Sequence, residues 1–242
     1  QTACSLMLIS EITPMLLNSD LDNKTISHVI KTFLSTERWF HPLGMASSMA
    51  SIRSIKGMPY CTIVTSIAQN GVDTGIKVAD LGEEWFLAPA PYLDGEYFST
   101  QWGSEDAAPY LGDSTVTEAM GMGGFSAAAA PVVLRLRGGG YREAIAQSEE
   151  MKHICVGINH NFQISLLDFT GPGLGIDIPN LDFEFLPAGI DIRKVVETGI
   201  TPYCHGGIIS KDGGQIGAGG ARFPMENYEK ALYSFCEKYN LL

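Results

Sequence analysis

Between Glu105 and Pro131 the chain reads EDAAPYLGDSTVTEAMGMGGFSAAAAP, and its chemistry-bearing groups are acids and hydroxyls set against a glycine cluster. Asp106, Asp113 and Glu118 supply carboxyl groups, Ser114 and Thr115 supply hydroxyls, and Gly121, Gly123 and Gly124 follow at once. Asp113 or Thr115 can cap a helix start, and Thr115-x-x-Glu118 has capping-box spacing. The helix so begun is short, because glycine is costly inside a helix and permissive in a tight turn. Phe125 to Ala130 can then start a second helix, whose free backbone N–H groups can hold an anion. The plainer reading is that the glycines only let two elements pack closely. The pattern is not a dinucleotide fingerprint, since Ser126 stands where the third glycine belongs, and no Gly-Lys-Ser/Thr follows to make a phosphate loop.

A second glycine-dense stretch runs from Gly206 to Arg222. Backbone N–H groups between Gly213 and Gly220, Gly217 and Gly219 among them, are a further place for an anion. Arg222 stands beside them as a bidentate partner for carboxylate or phosphate, or as one half of a surface ion pair. His205 is the only histidine inside a glycine-rich segment and can serve as a general acid or as a structural residue. A Ser-His-Asp arrangement with Ser114 requires the fold to bring His205 to it. Cys204 next to His205 hints weakly at metal or thiol chemistry, but adjacent residues rarely share one metal and no zinc spacing is present. No metal and no cofactor are expected.

The elements that must position these residues can be read from local pattern. A helical stripe runs through Ile26, Val29, Ile30, Phe33 and Leu34, preceded by an apolar segment from Ala3 to Leu17 that Pro14 kinks or ends early. Gly44 to Ile55 is helical. Tyr60 to Ala68 reads as a buried strand, Asn70-Gly71 as a turn, and Thr74 to Ala79 and Glu84 to Ala90 as two more strands of a meander. The segment from Pro89 to Gly103 is loop-like. Pro131 ends the alanine-rich helix, Val132 to Arg137 reads as a strand, and Tyr141 to Ile154 as a helix with Tyr141, Ala144, Ile145 and Ser148 on one face. Strands are expected at Asn161 to Phe169 and Leu181 to Phe185, around a Gly/Pro loop from Gly171 to Gly175. Asp191 caps a short helix that Gly199 ends. Two strands flank the Lys211-Asp212-Gly213-Gly214 turn. Pro224 opens a last helix striped by Tyr228, Ala231, Leu232, Phe235 and Tyr239. The expected class is mixed α/β (α+β): a mixed sheet with flanking helices, a mainly helical N-terminal segment over residues 1–58 and a mixed domain over 59–242. Hairpin-like pairs argue against an all-parallel sheet.

Composition narrows the partners. The 242 residues carry a net charge of −11, with 45% hydrophobic and 18% charged residues. That balance fits a globular protein with its own core and argues against nucleic acid or an anionic membrane as partner. An anionic substrate would need a local cationic or N–H-rich pocket. Five cysteines without CxxC spacing suit a reducing cytoplasm. No run reaches the roughly 18 apolar residues that span a bilayer, and no signal peptide is visible. The first residue is Gln1, as in a cut or trimmed chain.

Several short motifs occur in order and at similar spacing in one known family. They are Asn70-Gly71, Thr74-Gly75-Ile76, Trp85, Ala88-Pro89-Ala90, Asp106-Ala107, Gly112-Asp113-Ser114, Glu118, Gly121-Met122-Gly123-Gly124-Phe125 and Ala128-Ala129-Ala130-Pro131. Gly189-Ile190-Asp191, Val195-Val196, Thr198-Gly199-Ile200, Pro202, Gly214-Gln215-Ile216-Gly217-Ala218-Gly219 and Pro224 complete the set. With these the chain resembles the AllG (YlbE) family, from about Trp39 to its C-terminus. The family's members are roughly twice as long, and the resemblance falls on their C-terminal half. It implies a subunit of oxamate carbamoyltransferase, an enzyme of anaerobic allantoin degradation that turns oxalurate and phosphate into oxamate and carbamoyl phosphate. It also implies FdrA-like and AllH-like partner subunits and an oligomeric complex. Such phosphorolysis needs a held phosphate, a polarised carbonyl and a protonated leaving amide. Under that reading Gly121, Gly123 and Gly124 hold the oxyanion or phosphate first, with Gly217, Gly219 and Arg222 second. Glu118, Asp113 and His205 carry protons, and Asn70, Asp106 and Ser114 bind substrate. A non-catalytic assembly subunit and an amidohydrolase using water remain the alternatives.

Overall fold

The fold is that of a computed structural model, which describes residues 2–35, 40–112, 114–137, 139–158, 164–167, 173–174 and 189–242. Asp113 and the expected strand at 181–185 lie outside the described residues, as do most of 161–169 and 171–175. The chain divides into two compact units, Gln1–Ser47 and Ser48–Leu242.

The first unit is helical. Helix α1 (Thr2–Leu17) runs through Pro14 without ending there, and α2 (Asn23–Ser35) follows a polar turn. Asp22 caps α2 by accepting the backbone N–H groups of Lys24 and Thr25 at 2.8 and 2.9 Å, which starts the helix where the sequence turns from polar to periodic. Helix α3 (Phe40–Arg53) crosses the boundary and ends inside the second unit.

The second unit has the expected α+β character, with every strand pair among the described residues antiparallel. Strands β1 (Val64–Gln69), β2 (Asp73–Val78) and β3 (Phe86–Pro89) form the meander, in the order β1-β2-β3. Its first turn is closed by Asn70, whose side-chain oxygen accepts the N–H groups of Val72 and Asp73 at 2.9 and 2.7 Å, while Gly71 takes φ +82°. A second three-stranded sheet has the order β4-β8-β7. It contains β4 (Asp94–Tyr97), β7 (Tyr203–Ile209) and β8 (Gln215–Arg222). The turn between β7 and β8 places Gly213 and Gly214 at φ +95° and +83°, a conformation glycine reaches without a Cβ clash. A short pair, β5 (Gly157–Ile158) with β6 (Gly173–Leu174), stands apart.

The stretch between the sheets departs from expectation. Three consecutive 3-10 helices occupy Ser114–Met120, Gly123–Ala129 and Pro131–Arg137. The strand read at Val132 to Arg137 is therefore a tight helix. Its Leu134 buries against Ala127 and Ala144, a contact an isolated β-branched run does not announce. The loop-like segment before Gly103 contains β4. Helix α4 (Tyr141–Lys152) buries Ala144, Gln147, Ser148 and Met151, and Tyr141 is exposed, so its inner face is rotated from the expected one.

Helix α5 (Ile192–Thr198) starts and stops as its sequence implies. Asp191 accepts the Arg193 N–H at 2.9 Å, and Gly199 ends the helix in the left-handed region at φ 70°. Helix α6 (Met225–Lys238) buries Asn227, Tyr228, Ala231 and Phe235 against β2, β3 and α5. Buried Asn227 donates to the carbonyls of Thr74 at 3.0 Å and Phe86 at 2.7 Å, tying α6 to the first sheet.

Candidate active site

The site is built where the first two 3-10 helices meet β7. Gly121 and Gly123 take φ +79° and +63°, which turns the chain between the two helices. The turn is tight enough that Glu118, at the end of the first helix, folds forward over it. A Cβ on Gly123 would collide with the Glu118 carboxyl group, and one on Gly124 with the Tyr203 carbonyl of β7. These glycines are thus fixed by close approach on both sides.

Glu118 is 3% exposed. Burial raises its pKa from 4.5 to about 8, against the opposing pull of the Gly124 N–H, its own backbone N–H and the Thr117 hydroxyl. The hydrogen-bond pattern agrees with a neutral carboxyl. Gly124 N–H faces Oε1 at 3.5 Å. Thr117 Oγ1 lies 3.2 Å from Oε2 but also donates to the Ser114 carbonyl at 2.8 Å. A hydroxyl has one proton. The single Thr117 proton is thus divided between the Ser114 carbonyl and Oε2, and the buried carboxyl receives only long hydrogen bonds, too little to hold a negative charge in place of water. The capping-box reading of Thr115 and Glu118 does not hold, because Glu118 reaches forward and Thr115 donates to Gln69 Oε1 at 2.8 Å.

Residues on α4 and β7 complete the cluster. Gln147 Nε2 donates to the Gly124 carbonyl at 2.7 Å and lies 3.1 Å from His205 Nε2. Tyr110 donates to the His205 carbonyl at 3.3 Å, and the Tyr203 and His205 rings meet edge-on at 5.2 Å. Cys204 is buried, and desolvation, followed by the nearby Glu118 charge, pushes its thiol well above the ordinary value. Such a thiol is a packing group and not a nucleophile. Arg222, paired across the sheet with Tyr203, stacks over the Tyr203 ring at 5.7 Å. It donates to the Thr201 carbonyl at 2.9 Å and forms an ion pair with Glu150.

The structure therefore brings together Glu118, Gly121, Gly123, Gly124 and His205, with Arg222 one ring away. It places the others elsewhere. Gly217 and Gly219 lie on β8, the central strand, with β4 on one side and β7 on the other. A Cβ at Gly217 would press on Glu96 of β4, and one at Gly219 on Asp94. Asn70 is spent on its own turn. Asp106 accepts the Gly103 N–H at 2.9 Å and holds the loop before it. Ser114 offers its carbonyl to Thr117. The N–H groups of the glycine turn are also largely engaged: Gly121 donates to the Glu118 carbonyl and Met122 to that of Thr117, at 3.0 and 3.1 Å. Gln147 was not foreseen. It is a neutral residue in mid-helix, and only the burial pattern of α4 marks it.

Comparison with known proteins bears on what this cluster belongs to. The sequence profile of the family described as "Oxamate carbamoyltransferase subunit AllG" matches residues 1–114. The chain is 38% identical over 242 residues to the oxamate carbamoyltransferase subunit AllG of Escherichia coli K12, covering 99% of this chain and 54% of the relative. The chain belongs to the AllG family. Another relative is the uncharacterized protein YahG of the same organism, 35% identical over 97% of this chain and 47% of that protein. The fold recurs in a crystal structure of a conserved protein of unknown function from Enterococcus faecalis V583, with a TM-score of 0.85 and 33% identity. That match covers 98% of this chain and 54% of the other. The chain thus spans about half the length of the curated relatives it matches. No helix among the described residues is long and apolar enough to cross a membrane.

Proposed function

We propose that this AllG-family chain is a subunit of a carbamoyl-transfer enzyme that converts oxalurate and phosphate into oxamate and carbamoyl phosphate, working with FdrA-like and AllH-like subunits in the cytoplasm. The observation that carries the reading is the burial of the Glu118 carboxyl at the glycine turn, which raises its pKa toward neutrality, in a family described as a subunit of this enzyme. A phosphate oxygen attacks the ureido carbonyl carbon, the C–N bond to oxamate breaks, and the departing nitrogen needs a proton. Glu118, protonated up to about pH 8, holds such a proton at neutral pH, and general acids work best with a pKa near the working pH. Arg222 suits a substrate carboxylate if that group displaces Glu150 from the guanidinium.

A second reading has a specific observation in its favour. Gly124, Gly217 and Gly219 each face another segment's backbone so closely that a Cβ would collide. Glycines used this way are packing devices, as in a subunit that assembles the complex without hosting its chemistry. The experiment is carbamoyl phosphate formation from oxalurate and phosphate, with the chain alone and with both partners. Wild-type turnover that Glu118→Gln lowers by about 100-fold or more, with assembly intact, supports the catalytic reading. Full turnover in both Glu118→Gln and Arg222→Ala selects the assembly role. Turnover without phosphate points to an amidohydrolase.

A further inference from the structure

We infer that Gln147 is a positioning residue that locks His205 as the neutral imidazole with its proton on Nδ1. The argument starts from an acceptor that cannot change roles. The Gly124 carbonyl only accepts, so the atom 2.7 Å from it must be the amide nitrogen of Gln147 and not the amide oxygen. The reverse orientation would set two oxygens against each other. The same nitrogen lies 3.1 Å from His205 Nε2. One of its two protons goes to Gly124, and the other points to the ring. Nε2 must therefore be the bare, accepting nitrogen, and in a neutral imidazole the proton then resides on Nδ1.

Burial makes the assignment binding. Gln147 and Gly124 are both buried, and the Gly124 backbone is held by Tyr203 behind it and the Glu118 carboxyl in front. The amide cannot turn over without placing an unpaired donor or acceptor in a dry interior. Free imidazole favours the other tautomer, so the protein sets the proton's place. The consequence rests on the acid–base reading of this cluster: Glu118 supplies the labile proton, and His205, with its Nδ1 buried, is held in one neutral form that does not take that proton away.

The test is 15N-detected NMR of the 242-residue chain labelled at histidine, with the His205 signals assigned by their loss in His205→Asn. The expected wild-type pattern is a protonated Nδ1 and an unprotonated Nε2. Gln147→Met, which keeps the side chain's length and removes both donors, is expected to bring up the Nε2–H form. Gln147→Glu, which replaces the donor with an acceptor, is expected to place the proton on Nε2 outright. A wild-type Nε2–H signal overturns the lock, and so does a His205 pattern unchanged in folded Gln147→Met. The carbamoyl-transfer assay separates this from the broader reading. An Nδ1–H pattern that shifts in the variants, alongside unaltered turnover in the assembled complex, supports the lock and overturns its catalytic use.

Discussion

A carboxyl group sealed from water keeps its proton after the same group in an unfolded chain has lost it. For Glu118 the interval runs from pH 4.5 to about 8. Within it the folded state binds one proton more than the unfolded state, so stability falls as pH rises through that window. Below pH 4.5 both states are protonated and the effect is fully spared. Above about pH 8 both are ionised and the loss is complete, on the order of 5 kcal/mol for a shift of this size. Glu118→Gln has no such proton. Its stability relative to wild type is expected to climb steadily between pH 5 and 8.5 in denaturant titrations, and a pH-independent difference would show that Glu118 is ionised in the native protein. The glycines around it make a complementary prediction. Gly124→Ala drives a methyl group into the Tyr203 carbonyl, and such overpacking typically costs about 1–3 kcal/mol. A thermal melt unchanged in this variant would show that the 3-10 helix can move away from β7.

At the scale of elements, what the sequence disclosed was what it controls locally. Asp191 and Gly199 bound α5 by capping chemistry within a few residues, and both were legible. The β7–β8 hairpin was legible because Gly213 and Gly214 sit in a turn that demands positive φ. Strand β4 was not, since Asp94-Gly95-Glu96-Tyr97 has no apolar alternation and its partner β8 lies more than a hundred residues away. Val132 to Arg137 misled because a β-branched run looks extended until Leu134 is seen buried against Ala127 and Ala144. The site followed the same division. Glu118 and the glycine turn stood in one short stretch, whereas Gln147 joins them only through a contact to Gly124 across 23 residues. Asn227 is the corresponding tertiary contact in α6, and its two donors satisfy two carbonyls of the meander. Asn227→Ala leaves both without that partner in a dry interface, and is expected to lower stability by about 2–3 kcal/mol. Asn227→Asp should be at least as damaging, because a carboxylate oxygen would replace the donor facing those carbonyls. Chemical denaturation of both variants checks the order, and near wild-type stability in Asn227→Ala would mean that apolar packing alone holds α6.

For the whole molecule, the division into units has a dynamic consequence. The described residues of α1 and α2 bury only Ser5 and Ile26. The second unit encloses Phe125, Met151, Phe223 and Tyr228 at 2% exposure or less. Helices gain most of their stability from a buried face and little from propensity, so the first unit has far less to hold it shut. Local opening costs less where few apolar groups are buried. Amide hydrogen exchange is therefore expected to be fast through α1 and α2, and slowest at the pairings Ile67–Ile76 of β1–β2 and Cys204–Ala221 of β7–β8. Equal protection across both units would show that they unfold as one. The proposed role as a subunit adds a second expectation for the same measurement. The carbamoyl-transfer complex should protect some surface of the chain when the FdrA-like and AllH-like partners are added. If the exchange pattern stays the same at partner concentrations that support turnover, this chain is not a component of that assembly. The chemistry around Glu118 would then have to serve a reaction the chain performs by itself.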